Sequence, residues 1–145
     1  METDDPVAVV IAALNSFEPA RHDTENLYHL YRLFEGFRSL PGRDRAVPAM
    51  FSLLERFPDP EFGSPAPLVH EIEAIPDYLP LLRDSVRRQP MHLTVWMVNR
   101  LLNTELPSDQ RASWLAELRA ALEHPLASEQ TRIFAQDFLE HQQGE

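Results

Sequence analysis

The sequence predicts an all-α fold. Apolar residues recur at helical spacing along almost the whole chain. Proline, aspartate and serine stand where helices begin, and proline or glycine where they end. The connections between these segments are short. The only competing signal is the β-branched run Val9-Val10-Ile11, which has some strand character.

The elements follow in order. Asp5 and Pro6 suit the N-cap and first position of a helix, and Val7, Val10, Ile11 and Leu14 then keep i, i+3, i+4, i+7 spacing. Leu27, Tyr28, Leu30, Tyr31, Phe34 and Phe37 make a wide stripe on a helix expected from about Thr24 to Arg38, with Tyr28, Tyr31 and Phe34 read as core. Pro41-Gly42 breaks the chain. Asp44 is expected to cap a helix with Pro48 in its first turn and Val47, Met50, Phe51 and Leu54 on its apolar face.

Ser64-Pro65 opens a short helix through Leu68, Val69 and Ile72, which Pro76 ends by disfavouring α geometry at Ile75. Asp77 is expected to cap the next helix, with Pro80 tolerated inside its first turn. After Pro90, the run MHLTVWMVNRLLN is apolar on nearly every side and reads as a buried central helix. Its Trp96 suits either core or an interface anchor, and Asn99, Arg100 and Asn103 form a polar face on it. Two further helices follow Pro107-Ser108 and Ser128, carrying Trp114, Leu115, Leu118, Ala121 and Leu122, then Ile133, Phe134, Phe138 and Leu139.

The expectation is one domain, residues 1–145, with seven or eight short helices. Helix starts near 44, 77 and 108 recur about every 32 residues, a period typical of stacked helical hairpins. A HEAT-like stack is the first choice of architecture, and a compact irregular bundle the alternative.

Composition narrows the function. The chain of 145 residues carries a formal net charge of -10, and all thirteen of its basic residues are arginines. Without cysteine or lysine it has no thiolate nucleophile, Cys-based zinc site, Schiff-base lysine or P-loop lysine. The acidic balance speaks against nucleic acid and anionic membranes as partners and leaves basic proteins. No apolar run approaches the ~20 residues of a membrane span, and METDDP lacks the basic start of a secretory signal. A cytoplasmic location is therefore expected.

Half of the net charge comes from one segment. Between Arg56 and Arg83 stand five carboxylates, Asp59, Glu61, Glu71, Glu73 and Asp77, with no basic residue to neutralise them in sequence. Six of the thirteen prolines lie there too, and Phe57, Phe62 and Tyr78 are interspersed. Apolar contact within a charged rim, on a backbone with little freedom to lose, is a favourable combination for protein binding.

Catalytic patterns do not emerge. His70-Glu71 begins like HExxH, but Ala74 stands where the second histidine belongs. Glu71 and Glu73 are two residues apart, so on a helix they diverge by about 200° and cannot act jointly as acid and base. There is no glycine-rich phosphate loop and no nucleophile elbow. The chain is read as a non-enzyme without cofactor or metal.

The phrases LLERFPDPEFGSPAPLVHEIE (53–73) and HLTVWMVNRLLN (92–103) resemble small helical immunity proteins of bacterial toxin–immunity loci. The resemblance extends over roughly residues 44 to 140. It implies a HEAT-like fold, no enzymatic activity, and tight binding of a cognate toxin domain. Because immunity surfaces differ with their toxins, it carries over no contact residues. The charge pattern itself nominates Asp59, Glu61, Glu71, Glu73 and Asp77 as electrostatic contacts to a basic toxin, such as a nuclease, with Phe62 and Tyr78 as apolar anchors. A helical-repeat adaptor in a cytoplasmic complex is the alternative.

Overall fold

A computed structural model describes residues 5–18, 23–56 and 67–143. The fold is all-α, as the periodicity requires. The described residues form eight α-helices: α1 (Pro6–Ser16), α2 (Asp23–Leu33), α3 (Val47–Arg56), α4 (Pro67–Glu73), α5 (Leu79–Arg88), α6 (His92–Leu102), α7 (Ser108–Leu122) and α8 (Glu129–Gln142). Short 3₁₀ turns at Phe37–Ser39 and Arg43–Ala46 join α2 to α3. The chain divides into two compact units, Met1–Leu81 and Leu82–Glu145.

In the first unit, arginines pin α1 at both ends. Asp5 Oδ1 caps α1 by accepting from the Val7 and Ala8 amides, both at 3.1 Å. The Arg45 guanidinium then grips the same carboxylate at 2.8 and 3.1 Å. At the other end, Arg56 donates to the Leu14 and Asn15 carbonyls at 2.8 and 3.3 Å. Those carbonyls belong to the last turn of α1, where no i+4 amide continues the ladder; Leu14 also accepts from the Phe17 amide at 3.3 Å. The two clamps flank α3, so α1 and α3 run in the same direction side by side. The core of this unit holds Leu14, Leu30, Met50, Phe51, Leu54, Leu68 and Ile72, all with essentially no exposure.

The stripe on α2 departs from expectation. Phe34 and Phe37 are buried, but Tyr28 and Tyr31 are 58% and 64% exposed. On α2, Leu30 is the inward residue, and Tyr28 and Tyr31 lie roughly 160° and 100° around the helix from it. The helix also ends at Leu33, earlier than expected. Gly36 then takes a left-handed conformation, φ 75°, which brings Phe37 inward against the Phe34 ring. The bend, not a continued helix, is what buries the second aromatic pair.

Asp44 also differs from expectation. It lies inside the 3₁₀ turn Arg43–Ala46, whose N-cap is Gly42 at φ 74°, and α3 begins three residues later at Val47. Pro48 does fall in the first turn of α3, where its missing amide costs nothing.

In the second unit, α6, α7 and α8 pack on one another, and Arg111 and Gln142 join their ends. Arg111 Nη1 donates to the Leu102 carbonyl at 2.9 Å, and its Nη2 to the Gln142 carbonyl at 2.8 Å. Gln142 Nε2 donates to Asn99 Oδ1 at 2.8 Å and Asn103 Oδ1 at 2.7 Å. The end of α6, the start of α7 and the end of α8 thus meet, so α7 runs antiparallel to the other two. The polar face of α6 is therefore structural at Asn99 and Asn103. Trp96 is half-buried, with the Arg100 guanidinium 4.9 Å from its ring centre.

The run Leu93–Val98 is buried apart from half-buried Trp96, as expected of a central helix. Ser128 caps α8 through the Thr131 amide at 3.1 Å, again as expected. Ser108, by contrast, is the first residue of α7, and Pro107 holds the cap position without a side-chain bond. Ile133, expected among the apolar residues of α8, is 54% exposed; Leu139 is buried as expected, and Thr131 and Ala135 join it in the buried stripe.

One carboxylate is buried and fully engaged. Glu117 on α7 accepts from Arg83 at 2.8 Å and Arg87 at 2.7 Å, both from α5. Arg83 also donates to Ser113 Oγ at 2.7 Å and lies 4.2 Å above the Trp114 ring.

Candidate functional site

The turn between α4 and α5 concentrates the described part of the acidic segment. The end of α4 tightens, with the Ala74 amide bonded to the His70 carbonyl at 3.1 Å and Ile75 to Ile72 at 3.0 Å. Ile75 drops into the core. Pro76 cannot continue the helix, and Asp77 reverses the chain with φ 64°. Asp77 is the only non-glycine residue with positive φ among the described residues. Its side chain therefore does not serve as the cap expected of it: α5 begins at Leu79, one residue too late. Pro80 sits second in α5, inside the first turn.

Arg43 anchors this turn to the one that precedes α3. Its Nη1 donates to the Arg38 carbonyl at 3.0 Å and its Nη2 to the Ala74 carbonyl at 3.3 Å. Its Nε is buried with no partner among the described residues. Between the two turns runs a groove of about 490 Å³. Leu40, Pro41, Val47, Ile75, Pro76 and Leu81 provide its apolar lining. Asp44, Asp77 and Tyr78 line it as well. A second, more open depression adjoins it, lined by Glu73 through Pro80. Ile75 to Tyr78 belong to both, so this turn is a ridge between two hollows.

The expected contacts divide accordingly. Glu73, Asp77 and Tyr78 are brought together on the ridge and its flanks. Glu71 is not a free carboxylate: Arg38, far away in sequence, meets it at 3.1 Å and also reaches the His70 carbonyl at 3.4 Å. The expectation of carboxylates without neutralising arginines fails there. Asp59, Glu61 and Phe62 lie outside the described residues. Asp44 joins the groove although it was read only as a helix cap.

A second exposed surface lies on α2. Tyr28, Tyr31, Arg32 and Glu35 surround a shallow depression. Arg32 Nη1 donates to the Tyr28 hydroxyl at 3.2 Å, with the guanidinium 5.7 Å from that ring centre. Tyrosine beside arginine is a pairing enriched at protein interfaces.

His92 and His124 take structural positions. His124 bonds the Arg87 carbonyl at 2.7 Å and accepts the Leu126 amide at 3.0 Å. His92 opens α6 with its ring 5.3 Å from that of Phe134, and its Nδ1 is buried without a partner among the described residues. Burial pushes its pKa below the ordinary 6.5. Among the described residues no three His, Asp or Glu side chains converge as metal ligands. No helix among them is long and apolar enough to cross a membrane. No family model, curated protein or solved structure matches the chain.

Proposed function

We propose that this chain is a cytoplasmic immunity-type inhibitor that binds and neutralises a basic toxin domain. The observation that supports this reading best is the ridge at the α4–α5 turn. There Asp77 is exposed, Glu73 and Tyr78 are half-exposed, and an apolar groove carrying Asp44 runs alongside. Carboxylates around apolar contact suit a cationic partner: the charges accelerate encounter and the apolar groove slows release. A net charge of -10 adds long-range attraction of the same sign.

The test is co-expression with the product of the adjacent gene, followed by pull-down and kinetics. Association is expected above the unsteered ~10⁵–10⁶ M⁻¹s⁻¹ at low salt. Charge reversal at Asp59, Glu61 and Glu73 should slow it and flatten its salt dependence. Unchanged affinity and salt dependence would remove these carboxylates from the contact set.

The exposed Tyr28–Tyr31 face favours a second reading, a helical adaptor holding two proteins in one complex. An adjacent gene encoding a toxin domain supports inhibition; capture of two housekeeping proteins at once supports the adaptor.

A further inference from the structure

We infer that the groove between the 40–44 turn and the α4–α5 turn receives one long basic side chain, Arg or Lys, from the partner. This rests on the inhibitor reading and specifies how it would be carried out. The groove has an apolar lining from Leu40, Pro41, Ile75, Pro76 and Leu81. That lining matches the aliphatic stem of such a side chain, which packs on apolar surface while its charge stays near water. Asp77 supplies the counter-charge. It is exposed and has no ionic or hydrogen-bonding partner among the described residues. Tyr78, half-buried beside it, adds an aromatic surface on which a guanidinium can stack.

The other charges of the groove sharpen the choice of Asp77. Arg43 is a cation in the lining, but both of its terminal nitrogens already donate to the Arg38 and Ala74 carbonyls. Asp44 stands beside it in sequence and interacts electrostatically with Arg45. Arg45 is shared between Asp5 and Asp44, whereas Asp77 has no ion pair of its own and only the Arg43 charge in the lining to oppose it. The left-handed backbone points the same way. A non-glycine residue held at positive φ carries local strain, and such positions gather where a side chain is needed for function. Glycine would make the turn more easily but would supply no carboxylate.

The experiment uses the full chain and the purified product of the adjacent gene, with affinity read by calorimetry at low and moderate salt. Asp77→Asn keeps a residue that tolerates the left-handed turn and removes only the charge. It should weaken binding by about 10- to 100-fold, the range for losing one charge-assisted hydrogen bond, and reduce the salt dependence. Asp44→Asn should weaken it only a few-fold, because Arg45 already offsets that charge. Asp137→Asn, an exposed carboxylate on α8, should bind as the wild type does. If the wild type binds and Asp77→Asn binds equally well, the groove assignment is overturned while the inhibitor reading stands. If the wild type itself does not bind, the inhibitor reading falls and takes the groove assignment with it.

Discussion

Asp77 shows how one residue links local strain to surface chemistry. At φ 64° an L-residue loses stability that glycine would not, although aspartate is among the side chains that tolerate this region best. Asp77→Gly is expected to raise unfolding stability by up to about 1 kcal/mol, and Asp77→Ala to lower it, as read by urea denaturation. His92 gives a second expectation at this scale. Burial holds its folded pKa below 6.5, and its place in the first turn of α6 adds an unfavourable dipole for the charged ring. The unfolded chain therefore binds more protons between the folded pKa and 6.5. Stability from this residue is complete above 6.5 and is lost as pH falls through that window. His92→Phe should show a shallower fall in urea midpoint between pH 7 and 5 than the wild type; parallel curves would contradict the assignment. Asp5 behaves in the opposite region. The Arg45 side chain and the Ala8 amide lower its pKa from 3.8, so its contribution is present above that value and fades as pH drops below it. None of these local environments is written in the one-dimensional pattern. Proline before Asp77 marks a turn but not its hand, and the burial of His92 depends on Phe134, which arrives from another helix.

At the scale of elements, some helix starts were legible and others were not: Asp44 and Asp77, expected as caps, do not cap the helices that follow them. Asp5-Pro6, Pro48, Pro80 and Ser128 take the positions that backbone chemistry assigns them, because a cap or a missing amide acts within one turn. Which face of a helix turns inward was less legible when apolar residues covered more than one face. On α2 the stripe was wide enough to include both Leu30 and the two tyrosines, and only the path of the chain after Leu33 decided between them. Long-range pairs were not legible at all. Arg38 reaching Glu71, and Arg83 with Arg87 reaching Glu117, join residues more than 29 positions apart. The Glu117 pairing carries its own expectation. Removing a buried carboxylate leaves Arg83 partly buried above Trp114 without a counter-charge, held only by its bond to Ser113 Oγ. Glu117→Ala should therefore cost about 2–3 kcal/mol in chemical denaturation, and Glu117→Gln less, since an amide oxygen still accepts. Equal stability of Glu117→Ala and wild type would show that the pair contributes nothing to holding α5 on α7.

For the whole molecule, the all-α class followed directly from periodicity and punctuation, and eight helices among the described residues bear it out. The candidate site was legible only in part. Composition located an acidic, proline-rich segment, and Glu73, Asp77 and Tyr78 do come together there. Composition could not reveal that Arg38 pairs with Glu71 or that Asp44 lines the same groove as Asp77, because both depend on turns folding against each other. Net charge acts at this scale as well. If a cationic partner is steered by the whole field, raising salt from low to moderate should slow association much more than it speeds dissociation, as stopped-flow mixing would show. The most direct test of the central claim is the affinity of the chain for the product of its adjacent gene, measured at low salt for wild type and Asp77→Asn. Tight wild-type binding, weakened at least about tenfold in the variant, is the result expected of an acidic inhibitor working through this groove. A wild-type chain that fails to bind that product, or to protect a cell from it, would contradict the claim.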